Sequence, residues 1–178
     1  MGVDPGSRAT GYGLLRLEGN RIQYERSGVI APRPSLPFSD RLLAIYDGLV
    51  EILDEARPDE VAVESAFVRK SALAALQIGH VRGVILLAAR QCGASIHEYT
   101  APEVKVAVVR HGAAAKQQVG FMVRRLLPGL GVLREDEADA LAVALCHLHR
   151  APARARRIEV EPPSHRAAGP AWPKAFRR

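Results

Sequence analysis

Met1-Gly2-Val3-Asp4-Pro5-Gly6-Ser7-Arg8-Ala9-Thr10-Gly11-Tyr12-Gly13-Leu14-Leu15-Arg16-Leu17 opens the chain and decides how the rest is read. A short apolar run closes on an acidic residue, Asp4. Pro5-Gly6-Ser7 supplies turn chemistry. Gly11 to Leu17 reads as a second strand, and Glu18-Gly19-Asn20 as a hairpin turn. Ile22, Tyr24, Val29 and Ile30 mark a third strand that ends at Pro32. The chain therefore begins with strands joined by tight turns, the first of them ending in a carboxylate.

Beyond that opening the hydrophobic period changes. Leu42, Tyr46, Leu49 and Leu53 recur at helical spacing and predict a helix over about 38–56, stopped by Pro58-Asp59. Val61-Ala62-Val63 is a short strand ending in Glu64. A helix follows over roughly 70–92, with Leu73, Leu76, Val84 and Leu87 on one face, and then the short strand Ser95–Tyr99. Helices are expected at about 102–109, 115–127 and 135–149, the last burying Ala138, Leu141, Ala142 and Leu145. An initial hairpin followed by alternating strands and helices predicts an α/β fold, a mixed sheet with helices on both faces.

Length and composition fit one such domain. The 178 residues are 48% hydrophobic and 25% charged, enough to bury a core without staples. Two cysteines, Cys92 and Cys146, exclude a disulfide framework and a zinc cluster, and point to the cytoplasm. No stretch reads as a membrane span and the N-terminus lacks the pattern of a signal peptide, so no membrane partner is expected. Of the net charge of +6, +5 falls on residues 151–178, which also hold five of the twelve prolines. We divide the chain into a folded body, 1–150, and a basic, Pro-rich tail, 151–178, expected to be disordered. The excess of base points to a polyanionic partner.

Asp4 and Glu64 each close a strand, and in open α/β sheets sites form at the carboxyl ends of strands. If the two strands are neighbours, the two carboxylates lie side by side. Glu135-Asp136-Glu137-Ala138-Asp139 adds a third segment. Asp136 and Asp139 share one helix face, next to the apolar stripe, and look inward. The helix dipole accounts well for acidic residues in a first turn, hence for Glu135 and Glu137, and less well for Asp139. Converging carboxylates raise one another's pKa unless a cation joins them. Their hard oxygens select Mg²⁺ or Mn²⁺ over zinc, and two such ions can clamp the attacking and leaving oxygens of a phosphodiester.

The same residues resemble a known family. Gly2-Val3-Asp4-Pro5-Gly6-Ser7 with Thr10-Gly11-Tyr12-Gly13 is similar to the opening of RuvC-type Holliday junction resolvases. Ala62-Val63-Glu64-Ser65-Ala66-Phe67, Glu98-Tyr99 to Val104-Lys105, Ala115-Lys116-Gln117-Gln118-Val119 and Asp136-Glu137-Ala138-Asp139-Ala140-Leu141-Ala142 follow in the family's order. The resemblance spans about residues 1–150. It implies an RNase H-like fold with a mixed five-stranded sheet, a homodimer, and paired metal-dependent nicks in four-way junction DNA during recombination and repair. It maps the acidic site onto Asp4, Glu64, Asp136 and Asp139, with two Mg²⁺ ions and Mn²⁺ as a substitute. Lys105 and Lys116 fall near the cut phosphate, Lys116 stabilising charge there. Phe67 falls on bases near the crossover, with Arg69 and Lys70 beside it on the DNA. The RuvA–RuvB branch-migration complex is the implied partner. Only three residues precede Asp4, where the family has a longer strand.

Other readings have less behind them. A Gly-x-Asp-x-Gly opening also occurs in phosphotransferases of the actin, Hsp70 and sugar-kinase type, but they need a second ATP-clamping domain for which these residues leave no room. A non-catalytic junction-binding scaffold has no use for four acidic positions. For the dimer, the helix at 70–92 offers Leu73, Leu76, Gln77, His80 and Val84. His147 and His149, two apart on a helix, do not face each other and read as surface or helix-end residues. Cys92 reads as a small apolar filler.

Overall fold

A computed structural model describes residues 1–65 and 71–155, with side chains described to residue 150. Phe67, Arg69, Lys70 and most of the tail thus lie outside the described residues. The elements run β1 (Gly2–Asp4), β2 (Thr10–Glu18), β3 (Arg21–Ile30), α1 (Phe38–Ala56), β4 (Glu60–Ser65), α2 (Ala72–Gln91), β5 (Ser95–Thr100), α3 (Ala101–Val109), α4 (Lys116–Leu126) and α5 (Glu135–Ala155). The five strands form one sheet in the order β3-β2-β1-β4-β5. The first three pair antiparallel; β1–β4 and β4–β5 pair parallel. This is the mixed sheet the sequence predicts.

β1 has three residues, yet it lies at the centre of the sheet. Gly2, Val3 and Asp4 pair with Gly13, Tyr12 and Gly11 on one side. Gly2 and Val3 pair with Ala62 and Val63 on the other. Length is therefore not what fixes Asp4; pairing on both edges is.

Alternation along the strands sends side chains to two cores. Val3, Val61 and Val63 face α1 and α2, where Ile45, Leu49, Leu53, Val81 and Ile85 are buried. Ala62 and Tyr99 face α3, α4 and α5, against Val104, Val123, Leu141 and Leu145. Helices cover both faces.

α5 is buried nearly all round over residues 140–147, as a central helix must be. It lies unusually close to the sheet because three glycines make room. A Cβ on Gly2 would stand 2.2 Å from the Ala140 carbonyl oxygen, one on Gly13 2.6 Å from Leu141 Cδ2, and one on Gly11 2.0 Å from the Asp136 carbonyl oxygen. The Gly-x-Gly of β2 is thus a seat for a helix.

Three expectations change. α2 is long and apolar enough to cross a membrane by length and composition, against the reading that no stretch approaches this. Its buried face is Val81, Ile85, Ala88 and Ala89; Leu73, Leu76 and Leu87 are exposed, and Val84 half-buried. Cys92 is exposed, because α2 ends there, just before Gly93 turns at φ 85°. The last helix continues past 149 to Ala155, into the first residues of the basic segment.

Candidate active site

The sheet brings two of the predicted carboxylates to one end and one face. Ala62 pairs with Gly2 and Val63 with Val3, so one step further along each strand Asp4 and Glu64 emerge next to each other. Both point to the α5 side, as Gly2 and Ala62 do by the period of two. Asp4 also lies directly across from Gly11, where the backbone of Asp136 touches the sheet. The Gly11 contact therefore sets the first turn of α5 beside Asp4, and Asp136 and Asp139 come with it. Both are half-buried.

The loop after Asp4 is held at two points. Thr10, wholly buried, donates its hydroxyl to the Gly6 carbonyl at 2.9 Å. Arg41 of α1 donates to the Ser7 carbonyl at 3.1 Å. The turn chemistry of Pro5-Gly6-Ser7 is thereby pinned against β2 and α1.

The electrostatics show how closely these groups act on one another. Burial first, then the charges of Glu64 and Asp139, push the Asp4 carboxyl up to about 7. Glu64 is also raised, again by burial first and then by Asp139, with Lys116 and Lys105 opposing. Lys116, at the start of α4, donates to Asp139 Oδ2 and to Glu135 Oε1, both at 2.9 Å. These bonds raise the Lys116 ammonium above its ordinary value. Burial of acidic groups with one strong cation among them leaves a net negative pocket, and that drives protons onto Asp4.

The neighbouring acidic residues have other employment. Glu137 accepts from the Arg134 backbone N–H at 2.8 Å and from the Ser27 hydroxyl at 3.2 Å, which caps α5 and ties it to β3. Glu135 serves Lys116. The distinction drawn in the sequence between Glu135 and Glu137 on one hand and Asp136 and Asp139 on the other thus has a structural counterpart.

A second cluster was not anticipated. His147, read from sequence as a surface or helix-end residue, is 4% exposed. Its Nδ1 lies 2.8 Å from the Tyr99 hydroxyl and its Nε2 2.6 Å from Glu60 Oε2. Comparing it with His149 alone hid this. Counting turns from Asp136 through Ala140 and Ala144 places His147 on the sheet-facing side of α5, and that signal was available. His149 fits its surface reading, exposed and 3.2 Å from the Ala107 carbonyl.

Comparisons with known proteins show the family and the fold. The family model described as crossover junction endodeoxyribonuclease RuvC matches residues 1–147. A crossover junction endodeoxyribonuclease RuvC of Syntrophotalea carbinolica is 51% identical over 149 residues, 84% of this chain and 92% of that one. That of Acidiphilium cryptum is 47% identical over 149 residues, covering 84% and 89%. Among solved structures, Thermus thermophilus RuvC in complex with a Holliday junction substrate superimposes with a TM-score of 0.80 at 33% identity, covering 86% of this chain and 94% of that one.

Proposed function

The chain belongs to the RuvC family of crossover junction endodeoxyribonucleases, and from that membership we propose that it resolves four-way DNA junctions by paired symmetric nicks during recombination and repair, at Asp4, Glu64, Asp136 and Asp139. The observation that carries the assignment is the convergence of carboxylates from β1, β4 and α5 at one end of the sheet, where burial and then the charges of Glu64 and Asp139 push Asp4 to about 7. Such a spot is unfavourable in a bare protein and calls for cations.

The donor set fits the metal dependence of the family. Four carboxylates offer only hard oxygens, which suit Mg²⁺, with Mn²⁺ as substitute, and Lys116 alone leaves the pocket negative. When bound, a pair of such ions supplies Lewis-acid activation and neutralises charge at the attacking and leaving oxygens of a phosphodiester. Asp4, fixed by pairing on both edges of β1, presents its carboxylate between Glu64 and the two aspartates of α5. Lys116 holds Asp139 in place and puts a positive charge where a phosphate would dock. Lys105, on α3, lowers the Glu64 carboxyl by its charge and is assigned to the DNA backbone. Phe67, Arg69 and Lys70 come within six residues after Glu64 in the sequence, beyond the end of β4 at Ser65. We assign Arg69 and Lys70 to phosphates and Phe67 to an unstacked base near the crossover.

Two equivalent cuts need two sites related by a two-fold axis. The exposed Leu73, Leu76 and Leu87 of the apolar helix α2 support a homodimer through that helix. On family membership we propose the RuvA–RuvB complex as the functional partner. We place the protein in the cytoplasm, in keeping with two unpaired thiols. The body at 1–150 is assigned as the nuclease unit, and the basic tail to non-specific DNA contact.

The test is incubation with a synthetic four-way junction and with linear duplex of the same sequence, each with and without Mg²⁺. Symmetric nicks on the junction alone, and only with metal, are expected. Equal cutting of linear duplex would overturn junction selectivity, and cutting in chelator would overturn the metal assignment.

A further inference from the structure

At the opposite end of β4 from Glu64, about 13 Å along the strand, three metal-type donors from three elements converge. Glu60 opens β4, His97 lies in β5 and His147 lies on α5. One ligand atom from each of Glu60, His97 and His147 lies within 4.8 Å of the other two. We propose that this triad is a second metal site, chemically distinct from the acidic centre, that takes a borderline divalent ion of the zinc class.

The donor chemistry separates the two sites. Two imidazole nitrogens and one carboxylate suit zinc, cobalt or nickel and are poor ligands for Mg²⁺. The low cysteine count, which excludes a thiolate cluster, has no bearing on a His₂Glu set.

The geometry is close to what such an ion needs. With metal–ligand bonds of about 2.0–2.1 Å, the edges of a tetrahedral site are about 3.3–3.5 Å. His97 Nε2 stands 3.5 Å from Glu60 Oε1, an edge already of that length. His147 Nε2 stands 2.6 Å from the other oxygen, Glu60 Oε2, in a hydrogen bond whose proton an ion would replace as the carboxylate turns one oxygen to it. The two imidazoles lie with ring centroids 4.4 Å apart and tilted by 32°, and both turn Nε2 toward the one carboxylate.

The surroundings supply what supports a ligating histidine. The Tyr99 hydroxyl lies 2.8 Å from His147 Nδ1, so with Nε2 on the ion Nδ1–H donates to the phenol oxygen. A partner on the far nitrogen fixes ring orientation and tautomer. A cavity of 370 Å³ opens beside Glu60 and His147, giving an ion a way in and leaving room for a solvent ligand in the fourth position. A Tyr–His–Glu relay alone accounts for Tyr99 and His147. It does not account for a second imidazole nitrogen aimed at the other oxygen of the same carboxylate.

The ion would tie the C-terminal half of α5 to β4 and β5, clamping at its far end the helix that carries Asp136 and Asp139. The experiment is calorimetric titration of the chelator-treated full-length protein with Zn²⁺ in excess Mg²⁺. The same titration follows on D4N, H97Q and Y99F, with melting temperature as a second readout and Co²⁺ absorption reporting coordination. One Zn²⁺ per chain is expected in the parent and in D4N, raising the melting temperature by about 5 °C at saturation. H97Q should lose at least about 100-fold in affinity, and Y99F about 10- to 100-fold. No zinc uptake, uptake lost in D4N, or affinity unchanged in H97Q would overturn the site. If H97Q does not fold, Y99F decides in its place, and unchanged affinity there overturns it.

Discussion

Asp4 is the residue on which the acidic centre turns, and its energetics are testable without DNA. Burial and the neighbouring Glu64 and Asp139 raise its carboxyl to about 7, against about 3.9 in an unfolded chain. A raised carboxyl favours the fold fully below the unfolded value and loses that advantage as pH rises through the folded value. The metal-free protein should therefore lose stability between about pH 4 and pH 7. Asp4→Asn carries no charge at any pH. We expect it to stabilise the metal-free fold by roughly 1–3 kcal/mol at pH 8 and by little at pH 4, read as melting temperatures with chelator present. Equal effects at both pH values would show that Asp4 is not under electrostatic strain. The same substitution should abolish cleavage, so activity and stability move in opposite directions. Asp4 and Glu64 were legible in the sequence because a carboxylate ending an apolar run is out of place unless something uses it. The burial of His147 could have been counted from Asp136 along the helix, but its partners Glu60 and Tyr99 sit 87 and 48 residues away and nothing local announces them.

Among the elements, α5 and the glycines beneath it set the geometry of the site. Gly2 and Gly13 face each other across β1 and β2, and Gly11 faces Asp4. Together they bring a helix backbone onto the sheet. Gly11→Ala would place a methyl carbon 2.0 Å from the Asp136 carbonyl oxygen. That atom belongs to the helix backbone and cannot turn away, so α5 must lift. We expect a loss of about 1–3 kcal/mol in stability and a fall in cleavage out of proportion to it, since Asp136 and Asp139 move with the helix. A folded Gly11→Ala protein with full activity would show that the close contact is not needed for the site. The strands and helices were legible from their periods, 2 and 3.6, which is why α1 was read at its observed bounds. The seating of α5 was not, since a close approach depends on a helix that begins over 120 residues after the glycines. The apolar stripe of α2, offered in the sequence for a dimer contact, is exposed for a related reason. Leu73, Leu76 and Leu87 are apolar at helical spacing, but the core took the neighbouring face of Val81, Ile85, Ala88 and Ala89, and a period alone does not say which of two apolar faces is buried.

For the whole molecule we propose a division of labour: an acidic centre that cuts, and surrounding base and aromatic that choose where. Removing residues 156–178, beyond α5, should leave cleavage of saturated, pre-bound junction unchanged and flatten the salt dependence of binding, because phosphate contacts are lost. Loss of cleavage under saturation would make the tail part of the active structure. Phe67→Ala should reduce cleavage of an intact junction by about ten- to a hundredfold, in line with about 1–3 kcal/mol per stacked base, while binding to linear duplex stays near that of the parent. Equal losses on both DNAs would turn the assignment into a phosphate or packing role. The most direct test of the central claim is Glu64→Gln on a four-way junction. The change keeps the shape of the side chain and removes one charge from the acidic centre. The account predicts a folded dimer that binds the junction like the parent and nicks it at least about a hundredfold more slowly in Mg²⁺. Nicking within tenfold of the parent would contradict it and remove Glu64 from the site.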